Sequence, residues 1–570
     1  MVSFARSRSG PARLVALSIV ALLAVTLIAG PTAAKPTKPG FTTSQQSMIT
    51  NLTGGSVKPI ITVGDTIGDY MFESIPDGIA VAANGNGTAD VFVNHETSTV
   101  PFPYSVSSPA NNANDMTDSL VSKLKLHQQT AGVLSASIVI GDDENYHRFC
   151  SSFLATTEHG FKRSLLLTNE EGTDWVNRTG MQWPTTPYAA TSREIGVVVA
   201  HDINNGKTKP IWGMGRHNHE NSVALKGFGK PIVISGDDTF TTTSAQSQVY
   251  SYMADDSDAV WNDTGTLYAF VSDNPAVNDY YDFPANSPMS ISGKFVPVPK
   301  NIATGRNPNG TDLISSDVGY PAPFGPWAVH PGTTTPVDGP QWVLEHWGDT
   351  QPGGGVFQFL RVEDMAYDKR PGMSNVVYLA DSGRGLAGAP GPGVSTNGRI
   401  WKMVLDPNDP TVVTSLSILI DGDDAPVKTL TEVRQPDNLE TTPNGLYITE
   451  DPGSSQQFAP GDPAGKNARV WQYKFVGGVL APVIEVDQSA DGGPTDAQPG
   501  SIGNMGAWEA SGIVDVSSIY GPGSFLLDVQ AHSLWIDVEP GPDLANPPAG
   551  NDWTYKREGG QLLLVQIPGG

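Results

Sequence analysis

Acids and amides recur along this chain in short groups, each beside a brief apolar run, and oxygen donors grouped in this way can hold metal ions. Asp77, Asn94 and Glu96 form the first set, Glu170 and Glu171 the second, and Glu220, Asn221, Asp237 and Asp238 the third. Glu363, Asp364 and Asp381 follow, then Asp437, Asn438, Glu450 and Asp451, and last Glu509, Asp528 and His532. Taken singly, such an acid caps a turn and faces water. Brought together, these groups repel one another unless cations stand between them, and a hard cation such as calcium accepts about six to eight carboxylate, amide and carbonyl oxygens. Cys150 is the one cysteine and cannot close an intrachain disulfide. Its readings are a small buried apolar residue, an intermolecular bridge or a metal-binding thiolate.

Other chemistries lack their residues. The chain has no Gly-x-Ser-x-Gly elbow, no Walker loop and no His-Glu-x-x-His, which removes support for serine-triad enzymes. Asp421, Asp423 and Glu432 imitate a calcium loop, but Pro426 stands where glycine must turn the chain, so the segment reads as a surface turn. His217, His219 and Glu220 have no third histidine or cysteine close by and read as loop polarity rather than a zinc site.

The elements that must position the acids are short strands. Val91-Phe92-Val93, Leu165-Leu166-Leu167 and similar runs are bounded by Gly, Pro, Asn and Asp, and long amphipathic helical patterns are almost absent. That is the pattern of a sandwich, barrel or propeller, and the chain length favours the propeller. One unit recurs near positions 77, 151, 220, 363, 437 and 509, a repeat of about 70 residues. The expected fold is therefore an all-β, six-bladed β-propeller over residues 35–570, with an insertion at about 255–345 where one interval is doubled. Inner strands of a propeller face one axis, so acids at equivalent positions would converge at one end of its channel.

Residues 1–34 carry Arg6, Arg8 and Arg13 ahead of an apolar run from Leu14 to Ala29, with Thr32, Ala33 and Ala34 before Lys35. This is a secretory signal peptide, and the mature protein is expected to be exported, extracellular or periplasmic, and free of the membrane. A formal charge of −25 repels phosphate backbones and anionic lipid, so nucleic acid is not an expected partner. A monomer is expected.

Taken in order, Ile75-Pro76-Asp77-Gly78, Asn94-His95-Glu96, Phe149-Cys150, Asn169-Glu170-Glu171, Gly215 to Asn221, Gly236-Asp237-Asp238, Arg361 to Asp364 and Pro436-Asp437-Asn438 resemble the PhoX-like family of secreted alkaline phosphatases. The resemblance implies a six-bladed propeller whose axial site holds a cysteine-ligated iron pair with calcium ions and hydrolyses phosphate monoesters. By position it implies Cys150, Glu171, Glu220 and Glu363 as iron ligands, with Glu170 counted among the metal candidates. Asp237, Asp238, Asp437, Asn438 and Glu450 become calcium candidates, and Arg361 the residue that clamps a small phosphorylated substrate, since its planar fork can grip two phosphate oxygens. The alternative is a calcium-stabilised extracellular propeller that binds a partner without catalysis.

Overall fold

The computed structural model describes residues 38–96, 119–172, 175–176, 193–239, 245–321, 338–383, 397–422, 432–451, 467–488, 508–537 and 556–570. The expected signal peptide, and most of the calcium-loop imitation, lie outside these residues. No helix among them is long and apolar enough to cross a membrane.

Six strands line the centre: β1 (Pro76–Ala83), β2 (Phe149–Ala155), β3 (His219–Ala224), β4 (Val362–Tyr367), β5 (Pro436–Thr441) and β6 (Trp508–Asp515). Each packs against the next in this order, and β6 returns to β1. Outward from every one of them run three further antiparallel strands, with Ile49–Asn51 as a fourth in the β5 sheet. In the first sheet, Thr88–His95 is buried along its whole length, and Val91-Phe92-Val93 at its middle is apolar on both faces because both are covered.

The sheets differ from the expectation of six separate blades. Among the described residues there are four small sheets of four or five strands in a propeller-like arrangement and one sheet of nine, besides two short two-stranded ribbons. Ser290–Pro297 causes the fusion, because it pairs with Thr266–Ser272 on one side and Val412–Asp421 on the other and joins the β3 and β4 meanders edge to edge. Of the segment at about 255–345, Thr266–Ser272 is thus the fourth strand of the β3 meander, and Ser290–Pro297 is the joining strand.

The core lies between adjacent sheets. Ile79, Val91 and Leu124 of the first meet Ile60, Ile61, Leu526 and Leu562 of the last. Tyr378 and Ile400 of the β4 meander meet Leu446, Ile448 and Trp471 of the β5 meander. Fully burying one such aliphatic side chain stabilises the fold by roughly 1.5–3 kcal/mol.

Candidate functional site

The centre is built from one local irregularity repeated six times. Near the start of each inner strand two residues oppose one on the neighbouring strand, a β-bulge. The extra residue bends the strand and re-aims its side chains. The first residues of the bulges are Asp77, Cys150, Glu220, Glu363, Asp437 and Ser511, and they form a chain of contacts around the axis. The Cys150 thiol donates to Glu220 at 3.0 Å. Glu220, Glu363 and Asp437 bring ligand atoms within 4.8 Å of one another, and the Ser511 hydroxyl donates to Asp77.

A second set of acids stands immediately after the last paired residue of the neighbouring strand in the first three meanders: Glu96, Glu171 and Asp238. With the bulge residues they complete four overlapping groups of three: Asp77, Glu96 and Cys150; Cys150, Glu171 and Glu220; Glu171, Asp238 and Glu363; Glu220, Glu363 and Asp437. Seven carboxylates and one thiol are therefore contiguous.

Two guanidiniums face this charge. Arg361 donates from Nε and Nη2 to the two oxygens of Asp238, each at 2.7 Å, and its Nη2 lies 2.7 Å from Glu363. Arg148 stands 3.8 Å from Glu96 and 3.9 Å from Glu171. Among the described residues they leave most of the negative charge of these groups uncompensated. Burial, and after it the charge of Glu96, raises Asp77 to about 7. Burial and the neighbouring carboxylates push Glu171, Glu220, Glu363 and Asp437 well above the usual range. The Cys150 thiol moves the same way, through burial and then the charges of Asp77 and Glu220. Arg361 stays charged, since Asp238 and Glu363 outweigh the effect of burial.

This donor set fits cations. One buried oxygen of Asp77 has no hydrogen-bond partner, the carboxylates outnumber the guanidiniums, and oxygen ligands suit hard ions while a thiolate suits a softer transition metal. A polar layer lies directly against the cluster. The Ser151 hydroxyl donates to Glu220 and accepts from Asn438, each at 2.7 Å.

Of the residues expected from sequence, Cys150, Glu171, Glu220, Asp238, Glu363, Asp437 and Arg361 come together. Asn438 joins as a hydrogen-bond donor in the layer below. Glu170 is turned away, and its carboxylate accepts backbone N–H bonds from His147, Gly196 and Val197. Glu450 likewise caps the N–H groups of Arg434 and Arg469 and the indole of Trp471. Asp237 faces away from the axis, toward the helix Pro340–Asp349, where Gln341 reaches it at 3.4 Å. His217 and His219, expected as loop polarity, are fully buried with rings 3.4 Å apart between centroids.

Asp77 and Glu96 appear in the sequence motifs but were not assigned as ligands, and Arg148 and Ser511 were missed. The signal for Asp77 and Ser511 is their position: each precedes a glycine, Gly78 or Gly512, in the same bulge.

No protein-family model matches the chain, and no curated protein matches it. Among solved structures, that of Pseudomonas fluorescens PhoX in complex with vanadate, a transition-state analogue, aligns over 95% of this chain and 99% of that one, with 16% identity and a TM-score of 0.52. The β-propeller domain of the Trilobed protease from Pyrococcus furiosus aligns over 81% and 92%, at 7% identity and a TM-score of 0.28, too low to support a conclusion. The first likeness defines a PhoX-like fold.

Proposed function

We propose that this chain is a secreted, metal-dependent phosphatase that hydrolyses phosphate monoesters at the axial cluster of a six-bladed propeller. The six-blade count counts the nine-stranded sheet as two blades fused by Ser290–Pro297, and the cyclic contacts of β1 to β6 support it. The observation that carries the function is the contiguity of Cys150 with carboxylates from five of the six meanders and of Arg361 with Asp238 and Glu363. The PhoX-like fold supports the same reading.

Cys150, Glu171, Glu220 and Glu363 would hold iron, and Asp77, Glu96, Asp238 and Asp437 would share calcium. Bound there, these ions would offset the charge of an incoming phosphate and acidify a water molecule. Without them the acids would repel that phosphate. Arg361 supplies the chain's own part: its fork matches two phosphate oxygens, and ligation of Asp238 and Glu363 would release its N–H groups for that role. Ser382 donates to Glu363 and fixes the carboxylate's orientation. The substrate would be a small phosphorylated molecule and the enzyme an exported monomer with no nucleic-acid or membrane partner.

One observation favours a second reading, a calcium-stabilised extracellular propeller without catalysis. Arg361 is already bidentate on Asp238 and 8% exposed, as in a structural ion pair. Elemental analysis of purified mature protein before and after chelation, repeated with Cys150→Ser, separates the two. Iron with calcium in the native protein, and loss of iron in the variant, supports the phosphatase. Calcium without iron in both leaves the binding propeller.

A further inference from the structure

The helix Pro340–Asp349 brings two side chains of one face, Gln341 and Glu345, against the strand end at Asp237. The Gln341 amide nitrogen donates to Glu345 at 2.7 Å, to Thr239 at 3.3 Å and to Asp237 at 3.4 Å. The Thr239 hydroxyl reaches Glu345 at 3.3 Å. Asp237 and Glu345 are 0% and 4% exposed, so their charge is shut away from water. Among the described residues no lysine or arginine pairs with either. The nearest ring nitrogen belongs to His217, 4.0 Å from Asp237, and burial followed by the neighbouring His219 keeps that imidazole neutral.

Thr239 and Glu345 stand beside the Asp237 carboxyl, yet two oxygens of the cluster lack a well-formed hydrogen bond. They are Asp237 Oδ2 and Gln341 Oε1, both buried. A buried carboxylate in that state carries a desolvation penalty of several kcal/mol unless a counter-charge reaches it, a figure of about this order holding for any buried ion. The O and N atoms of an amide are assigned from the hydrogen-bond network, and turning the Gln341 amide over would put its oxygen where its nitrogen now touches Asp237, Thr239 and Glu345.

We propose that Asp237, Thr239, Gln341 and Glu345 form a second cation site, separate from the axial cluster, that takes one hard divalent ion, calcium. All four donors are oxygens, which suit a hard ion; no cysteine stands among them, and His217 Nδ1, buried without a hydrogen-bond partner, lies 4.0 Å from Asp237. The ion ties the helix to the strand end whose next residue, Asp238, grips Arg361. It is a positioning site, and it does not rest on the phosphatase reading.

The test is a crystal of the intact protein grown with calcium and measured at a long wavelength for anomalous scattering. A peak about 2.3–2.6 Å from oxygens of both Asp237 and Glu345 is expected, whatever the axial cluster holds. Absence of that peak, with the two carboxyls sharing a proton in direct contact, overturns the proposal. Calcium content after dialysis gives a second readout: Glu345→Gln should hold one ion fewer per chain than the native protein and gain less in Tm when calcium is added. Equal content in the two proteins would also overturn it.

Discussion

Asp528 stands in the last sheet where Asn94 and Asn169 stand in the first two, opposite the bulge of the inner strand. Asn94 donates its amide to the Cys150 and Ser151 carbonyls, and Asn169 donates to Ser151. Asp528 is fully buried with no well-formed hydrogen bond on either oxygen. Burial, and after it the charge of Asp77, pushes its carboxyl well above the usual range, and the Gly512 N–H only partly offsets this. A raised carboxyl pKa gives stability that is present at low pH and is lost as pH climbs from the unfolded value toward the folded one. Asp528→Asn keeps the shape without the proton, so its Tm should gain on the native protein as pH rises from about 4 to 8. A variant less stable by the same amount at every pH would contradict this.

His159 has the opposite sign. Its Nδ1 accepts from the Thr156 N–H at 3.0 Å and its Nε2 lies 3.2 Å from the Tyr367 hydroxyl. Burial lowers its pKa to about 4, so its contribution is present above the ordinary value of 6.5 and disappears as pH falls to about 4. The shift corresponds to about 3 kcal/mol. His159→Gln should lose less Tm between those two pH values than the native protein does, as thermal melts would register. The kinds of residue in the site were legible in the sequence, but not which of two adjacent acids faces the axis. Glu171 and Asp238 face it while Glu170 and Asp237 do not, because the bulge and strand pairing set that choice. A shift of one residue reverses a strand's faces without altering its composition.

At the scale of elements, the bulges set how closely the inner strands approach. A Cβ on Gly78 would lie 2.4 Å from the Ser152 nitrogen and 2.7 Å from the Cys150 carbonyl oxygen, and neither backbone atom can swing aside as a side-chain tip would. Gly78→Ala should therefore destabilise the protein by about 1–3 kcal/mol and lower its metal content by moving Cys150. Calorimetry and elemental analysis check the two effects, and an unchanged metal content would show that Cys150 tolerates the shift. Strand runs and their turns were readable from apolar spans between Gly, Asn and Asp. The fusion of two meanders was not, because Ser290–Pro297 alternates exposed and buried residues like any edge strand, and nothing in its pattern names a partner on each side. The helix Pro340–Asp349, which begins within the expected insertion of about 255–345 and runs past its end, was not read from the sequence. Its Pro340 at the first helical position is the one local sign of it.

At the scale of the molecule, the ends of the chain close the ring. Val57–Thr62 pairs with Lys556–Gln566 in the sheet that contains β6, and Ile49–Asn51 adds to the outer edge of the β5 sheet. Ile60 and Ile61 are fully buried there, each stabilising closure by roughly 1.5–3 kcal/mol. Removing the chain through Thr62 would bare the long edge of Lys556–Gln566, so the truncated protein should melt at a lower temperature and expose that edge to protease. An unchanged Tm would mean that the ring does not need this closure. The repeat of about 70 residues anticipated the cyclic order of the inner strands, but such pairing between distant ends leaves no periodic trace in a sequence.

The most direct measurement is turnover of a chromogenic phosphate monoester by the full mature protein loaded with calcium and iron, beside the chelated protein and Glu363→Gln. Hydrolysis by the loaded protein, falling by about 100-fold or more in the other two, is the predicted result. No turnover at full metal occupancy, or equal turnover with Glu363→Gln, would contradict a phosphatase at the axial cluster.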